Sequence, residues 1–95
     1  MLIYCAHKFG NSHKNRKRAE KIIERLQRED LENCYISPIH TFGYLYSKVS
    51  YEAGMELCFD LLMVCDKLLV LSEESKGVKQ EIEMAKRLGM EVEYY

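Results

Sequence analysis

Ninety-five residues are enough for one domain with a single modest core and leave no room for a second. Charged residues make up 31% and hydrophobic ones 47%, an ordinary balance for a soluble globular chain. The net charge of −1 gives no bulk electrostatic reason to bind nucleic acid or an anionic membrane. No apolar run approaches membrane-spanning length, and the first one, Met1 to Ala6, is too short for a signal peptide. The four cysteines (Cys5, Cys34, Cys58, Cys65) form no CxxC pair and lie in apolar segments, where cysteine behaves as a small hydrophobe. A reduced, cytoplasmic protein is therefore expected.

In chain order, Leu2-Ile3-Tyr4-Cys5-Ala6 reads as a buried strand. A polar loop over 7–14 follows, within a crowd of basic residues running from His7 to Arg18. Ala19, Ile22, Ile23 and Leu26 recur at helical spacing and predict a helix over 15–29. Cys34 to Ser37 reads as a second strand, stopped by Pro38, the only proline. Residues 38–51 show no clear period and hold Phe42, Tyr44, Tyr46, Tyr51 and His40, so they read as a long aromatic loop. Such rings serve a ligand or simply cover a core edge. Met55, Cys58, Leu61, Leu62 and Cys65 predict a well-buried helix over 51–65, with Glu52, Glu56 and Asp60 as a solvated stripe on another face. Lys67 to Ser72 is a third strand, residues 77–88 a helix capped by Ser75 and closed by Gly89, and 90–95 an alternating edge strand.

Strand and helix alternate throughout. This predicts a single 1–95 α/β domain, a three-layer sandwich around a four-stranded parallel, flavodoxin- or Rossmann-like sheet of order 2-1-3-4. Such sheets bind ligands at the carboxyl ends of their strands, where strand order reverses. The loops from His7 and from Pro38 and the turn before Gly77 converge there. His7, Lys8 and Phe9 after the first strand are candidates to hold an anion, although no GxGxxG or GxxxxGK[ST] is present. Glu81 falls at the edge of its helix's apolar stripe and points toward the body of the protein. A helix N-terminus favours its charged form, which suits a nucleophile, but an ordinary dipole-complementing Glu would look the same. The histidines at 7, 13 and 40 lack metal-ligand spacing, so neither a metal nor a cofactor is expected.

Several segments carry a resemblance over nearly the whole chain. They are Ile3-Tyr4-Cys5-Ala6, Ser37-Pro38-Ile39-His40-Thr41-Phe42-Gly43, Tyr51-Glu52-Ala53-Gly54-Met55, Asp60-Leu61-Leu62-Met63-Val64-Cys65-Asp66 and Gly77-Val78-Lys79-Gln80-Glu81. In these the chain resembles the nucleoside 2-deoxyribosyltransferase-like superfamily, and within it a branch of small bacterial and phage proteins. The resemblance implies Glu81 as the nucleophile at the sugar's anomeric carbon, Tyr4 as the group that positions it, and Asp60 near the base. Where those enzymes carry an Asp before the glycine, this chain has Ser75 and Lys76, and it is shorter than they are.

The expected activity is cleavage of, or deoxyribosyl transfer from, a nucleoside or nucleotide. Pro38, His40, Phe42, Tyr44, Ser75, Lys76 and Gly77 join the ligand contacts. Two alternatives stay open. One is a non-catalytic binder that senses or sequesters a nucleotide signal, as a phage anti-defence sponge would. The other is a protein-interaction module built on the loop 38–51. Self-association into a homodimer or larger homo-oligomer is expected, because so small a sheet leaves edges to cover.

Overall fold

The computed structural model describes all residues, Met1–Tyr95. Four strands, β1 (Leu2–Ala6), β2 (Cys34–Ile36), β3 (Lys67–Val70) and β4 (Glu91–Tyr94), form one sheet in the order β2-β1-β3-β4. All pairings are parallel, with Tyr4 opposite Ile36 on one side and Leu68 on the other. This is the predicted topology. The helices are α1 (His13–Glu29), α2 (Pro38–Phe42), α3 (Tyr51–Met63) and α4 (Lys76–Arg87).

The side-chain alternation of β1 divides the core in two. Tyr4 and Ala6, with Leu68 and Val70 of β3, face Leu62 of α3 and Val78, Ile82 and Ala85 of α4. Ile3 and Cys5, with Leu69 and Leu71, face Ile22, Ile23 and Leu26 of α1. One helix therefore covers one face of the sheet and two cover the other. A serine opens every helix: Ser12, Ser37, Ser50 and Ser75 each accept a backbone N–H from the first turn. At the far end of α4, Gly89 takes φ +69° while the Met90 N–H donates to the Ala85 carbonyl, closing the helix as predicted.

The segment 38–51 departs from expectation, because part of it is helical. Ser37 accepts the His40 N–H and Pro38 occupies the first turn, so α2 forms there, followed by a 3₁₀ turn over Gly43–Leu45. A capping serine before a proline is a helix-start signal that the missing hydrophobic period hid. α1 also begins at His13, two residues ahead of the predicted start, because Ser12 caps it. Helix α3 is less buried than predicted. Leu62 is its only fully buried residue, while Met63 and the following Val64 are exposed. Part of its inner face, through Gly54, Met55 and Cys58, lines a cavity. Cys34 lies exposed at the sheet edge, unlike Cys5 and Cys65, and all four thiols are free. No helix is long and apolar enough to cross a membrane.

Leu68 is wholly excluded from solvent at the centre of the larger core. Leu68→Ala is expected to lower stability by about 2–5 kcal/mol, read as a fall in the urea midpoint at unchanged slope.

Candidate functional site

A cavity of about 450 Å³ opens at the carboxyl ends of β1 and β3, between the β1–α1 loop, α2 and the first turns of α3 and α4. That is the size range of small-molecule sites. It lies at the point where strand order reverses, as the topology required.

Its floor is Glu81, in the second turn of α4 and only 6% exposed. The Tyr4 hydroxyl, fully buried on β1, donates to the Glu81 carboxylate oxygen Oε2. Burial pushes Glu81 up from its ordinary 4.5 to about 7, against the opposing effect of that hydrogen bond. Burial and then the neighbouring Glu81 hold the Tyr4 hydroxyl well above its ordinary value. The expectation that the helix N-terminus would keep Glu81 charged is thus corrected, since desolvation outweighs the dipole here. Cys58 of α3 sits beside the same pair, its thiol raised to about 11 by burial and then by Glu81.

The rim begins where β1 ends. The ring of buried His7 bonds the Lys8 carbonyl through Nδ1 at 2.6 Å and Arg18 Nη1 through Nε2 at 2.8 Å. A carbonyl only accepts and a guanidinium only donates, so the ring is neutral, with its proton on Nδ1. Burial, which lowers its pKa, favours the same state. Arg18 also donates to the Leu71 carbonyl at 3.1 Å, tying α1 to the end of β3. The Lys8 N–H donates to Ser72 Oγ at 2.9 Å, and its ammonium pairs with Glu73. Opposite, the Lys76 ammonium rests 4.7 Å from the centre of the Tyr51 ring, whose hydroxyl donates to Gln80 Oε1 at 3.1 Å. Phe9 packs edge-on against Tyr46 at 5.4 Å between ring centres. A Cβ on Gly43 would stand 3.3 Å from the Phe9 ring, so the turn approaches that ring closely. At Gly77 a Cβ would make only ordinary contacts, at 3.6 Å from the Tyr51 hydroxyl.

Of the residues singled out in the sequence, Glu81, His7, Lys8, Phe9, Pro38 and Phe42 line this cavity, as do Ser75, Lys76 and Gly77. Tyr4 reaches it through Glu81. Three others lie elsewhere. Asp60 is exposed on α3 with Glu52 and Glu56, in the stripe that the helical wheel drew, and does not line the cavity. His40 sits in a separate groove, its ring between Ser37 Oγ at 2.7 Å and Glu20 Oε2 at 3.3 Å. Tyr44 is 71% exposed outside the cavity. The cavity also takes Tyr46 and Tyr51 of the aromatic segment, and Asn15, Met55 and Cys58, which the sequence reading gave no ligand role. Parallel α/β topology was the available signal, because it brings the first turns of helices to the ligand end of the sheet. No three His, Cys, Asp or Glu side chains cluster as metal ligands do.

Fold and site together define the class: a small α/β protein with a parallel sheet and a ligand-sized cavity floored by a buried carboxyl. Residues 1–94 match the family described as a domain of unknown function, DUF4406, and the chain belongs to that family. No curated protein matches it.

The raised Glu81 also has a cost in stability. An acid whose pKa is higher in the folded state binds its proton more tightly there, so stability is fully present below the unfolded value near 4.5. It is lost as pH rises toward about 7. A shift from 4.5 to about 7 corresponds to about 3 kcal/mol. Glu81→Gln, which cannot ionise, is expected to raise the melting temperature at pH 8 while leaving it nearly unchanged at pH 4. Thermal unfolding of both proteins across that range checks it.

Proposed function

We propose that this cavity recognises a nucleoside or nucleotide and that its leading chemistry is cleavage of the N-glycosidic bond, or transfer of the deoxyribosyl group, with Glu81 as nucleophile. The observation that carries the reading is the buried Tyr4–Glu81 pair at the floor of a cavity with aromatic walls. A carboxylate held against a phenol and screened from water can attack the anomeric carbon, while the electron pair of the C–N bond leaves with the base. Water or a second base then attacks the same carbon and frees the carboxylate. Tyr4 would hold the carboxylate's orientation. Phe9, Phe42 and Tyr46 would face the flat base, and Lys8 and Lys76 stand at the rim where a phosphate would lie. The likeness of the segments around Tyr4 and Glu81 to the nucleoside 2-deoxyribosyltransferase-like superfamily supports the same reading.

A second reading, a binder that senses or sequesters a nucleotide, is favoured by two observations. Asp60, which the resemblance would set near the base, stands away from the cavity. Ser75 and Lys76 stand where the enzymes of the resembled superfamily carry an Asp. Self-association belongs to the proposal as well, since β2 and β4 leave free edges and Met63 and Val64 are exposed.

The test is incubation with nucleosides and nucleotides, with mass spectrometry of both the filtrate and the heat-released fraction. Free base is expected from the native chain and none from Glu81→Gln. Turnover is expected to rise with pH up to about 7, as Glu81 ionises, and then level off. Intact ligand released only by heat would leave the binder reading in place. Full activity in Glu81→Gln would remove Glu81 from the chemistry.

A further inference from the structure

The charges inside the cavity are unevenly matched. No ion pair reaches the Glu81 carboxyl, whose hydrogen-bond partner is the buried Tyr4 hydroxyl. The two lysines that line the cavity are engaged elsewhere, Lys8 with Glu73 and Lys76 on the face of Tyr51. The walls above the carboxyl carry four rings, Phe9, Phe42, Tyr46 and Tyr51. One of these already holds an ammonium against its face, 4.7 Å from the ring centre. An acidic floor without a counter-ion beneath aromatic walls is the arrangement that attracts a flat organic cation.

The proton donors of the site lead to the same ligand. A neutral base leaving a sugar must take up a proton as the glycosidic bond breaks, so it needs an acid within reach. Most of the polar groups lining the cavity are already engaged. The His7 Nδ1–H is spent on the Lys8 carbonyl, and its Nε2 carries no proton and faces Arg18. Tyr4 donates to Glu81, Tyr51 donates to Gln80, and the Asn15 amide donates to the Phe9 carbonyl at 3.1 Å. Burial holds the Cys58 thiol as a weak acid. Asp60, the remaining carboxyl to which the resemblance gives a part at the base, is exposed on α3.

We infer that the ligand this cavity selects is a nucleoside or nucleotide whose base carries a permanent positive charge, such as a pyridinium or an N7-methylated purine. The inference rests on the reading of the cavity as a nucleoside site and narrows it. A cationic base needs no acid. As the C–N bond breaks, its electron pair passes to the ring nitrogen and cancels the charge, and the base departs neutral. The Glu81 carboxylate forms the new bond to the anomeric carbon. Water then attacks that carbon, breaks the ester, returns the carboxylate and gives one proton to solvent. The charge on the bound base meets Glu81 and the four rings, and the same charge makes it a good leaving group.

Matched pairs of probes test this: N-ribosylnicotinamide against its uncharged dihydro form, and 7-methylguanosine against guanosine. Each is measured for binding by calorimetry and for base release by mass spectrometry. The native chain is expected to prefer the cationic member of each pair at least tenfold, in affinity or in rate. Glu81→Gln, checked for native circular dichroism, is expected to lose that preference, and Phe42→Leu to narrow it. A preference in the pyridinium pair alone, or in the purine pair alone, assigns the charged base to that source and still supports the inference. Equal treatment of charged and neutral members in both pairs overturns the inference and leaves the nucleoside reading standing. If no probe is bound or cleaved, nor any compound of the wider nucleoside panel, both are overturned.

Discussion

Strand β1 is paired on both edges and packed on both faces, and the remaining elements take their places from that. Because its side chains alternate, Tyr4 and Ala6 fix one layer of helices and Ile3 and Cys5 the other. Parallel pairing to β2 and β3 then forces every return crossing through a helix, which brings the helix starts to one end of the sheet. The chain leaves β1 at that end, so His7, Lys8 and Phe9 arrive at the cavity without any special loop design. A five-residue strand thus determines both the core and the place of the cavity.

Much of this could be read from residue spacing. The alternation of apolar runs with amphipathic stretches specified four strands, their parallel pairing and the end at which ligands bind, because only a right-handed crossover arrangement accommodates that order. The approach of Tyr4 to Glu81 was legible through resemblance and not through period. Other features depend on three-dimensional surroundings that spacing does not encode. Whether Glu81 holds a proton is decided by how much water reaches it, and burial reversed what its place near a helix start suggested. Asp60 shows the opposite case: the helical wheel set it in a solvated stripe, where the structure has it, while the resemblance set it at the base. The short helix after β2 escaped notice because one turn of helix has no period to detect, although the Ser37-Pro38 start was in plain view.

Stability and the cavity pull in different directions. A carboxyl without a counter-ion and an inner helix face that partly lines a cavity both weaken a domain that has only a modest core. Proteins commonly tolerate such strain where activity depends on it. The rest of the site is stiffly held by comparison. A single guanidinium, Arg18, joins α1, the His7 ring and the end of β3, and the Lys8–Ser72–Glu73 contacts bind the two neighbouring loops. These contacts hold the β1–α1 and β3–α4 sides of the cavity in place.

The Tyr4–Glu81 contact joins residues 77 positions apart, and this has a consequence for how the molecule is made. Loop closure over such a span comes at an entropic cost that local helix formation does not bear. The floor of the cavity is therefore complete only once α4 has docked on the sheet. Until then the Tyr4 hydroxyl sits in an apolar layer without its acceptor. An arrested or clipped chain ending before α4 would lack the carboxyl and also one wall of the larger core, so the cavity floor and the core are lost together.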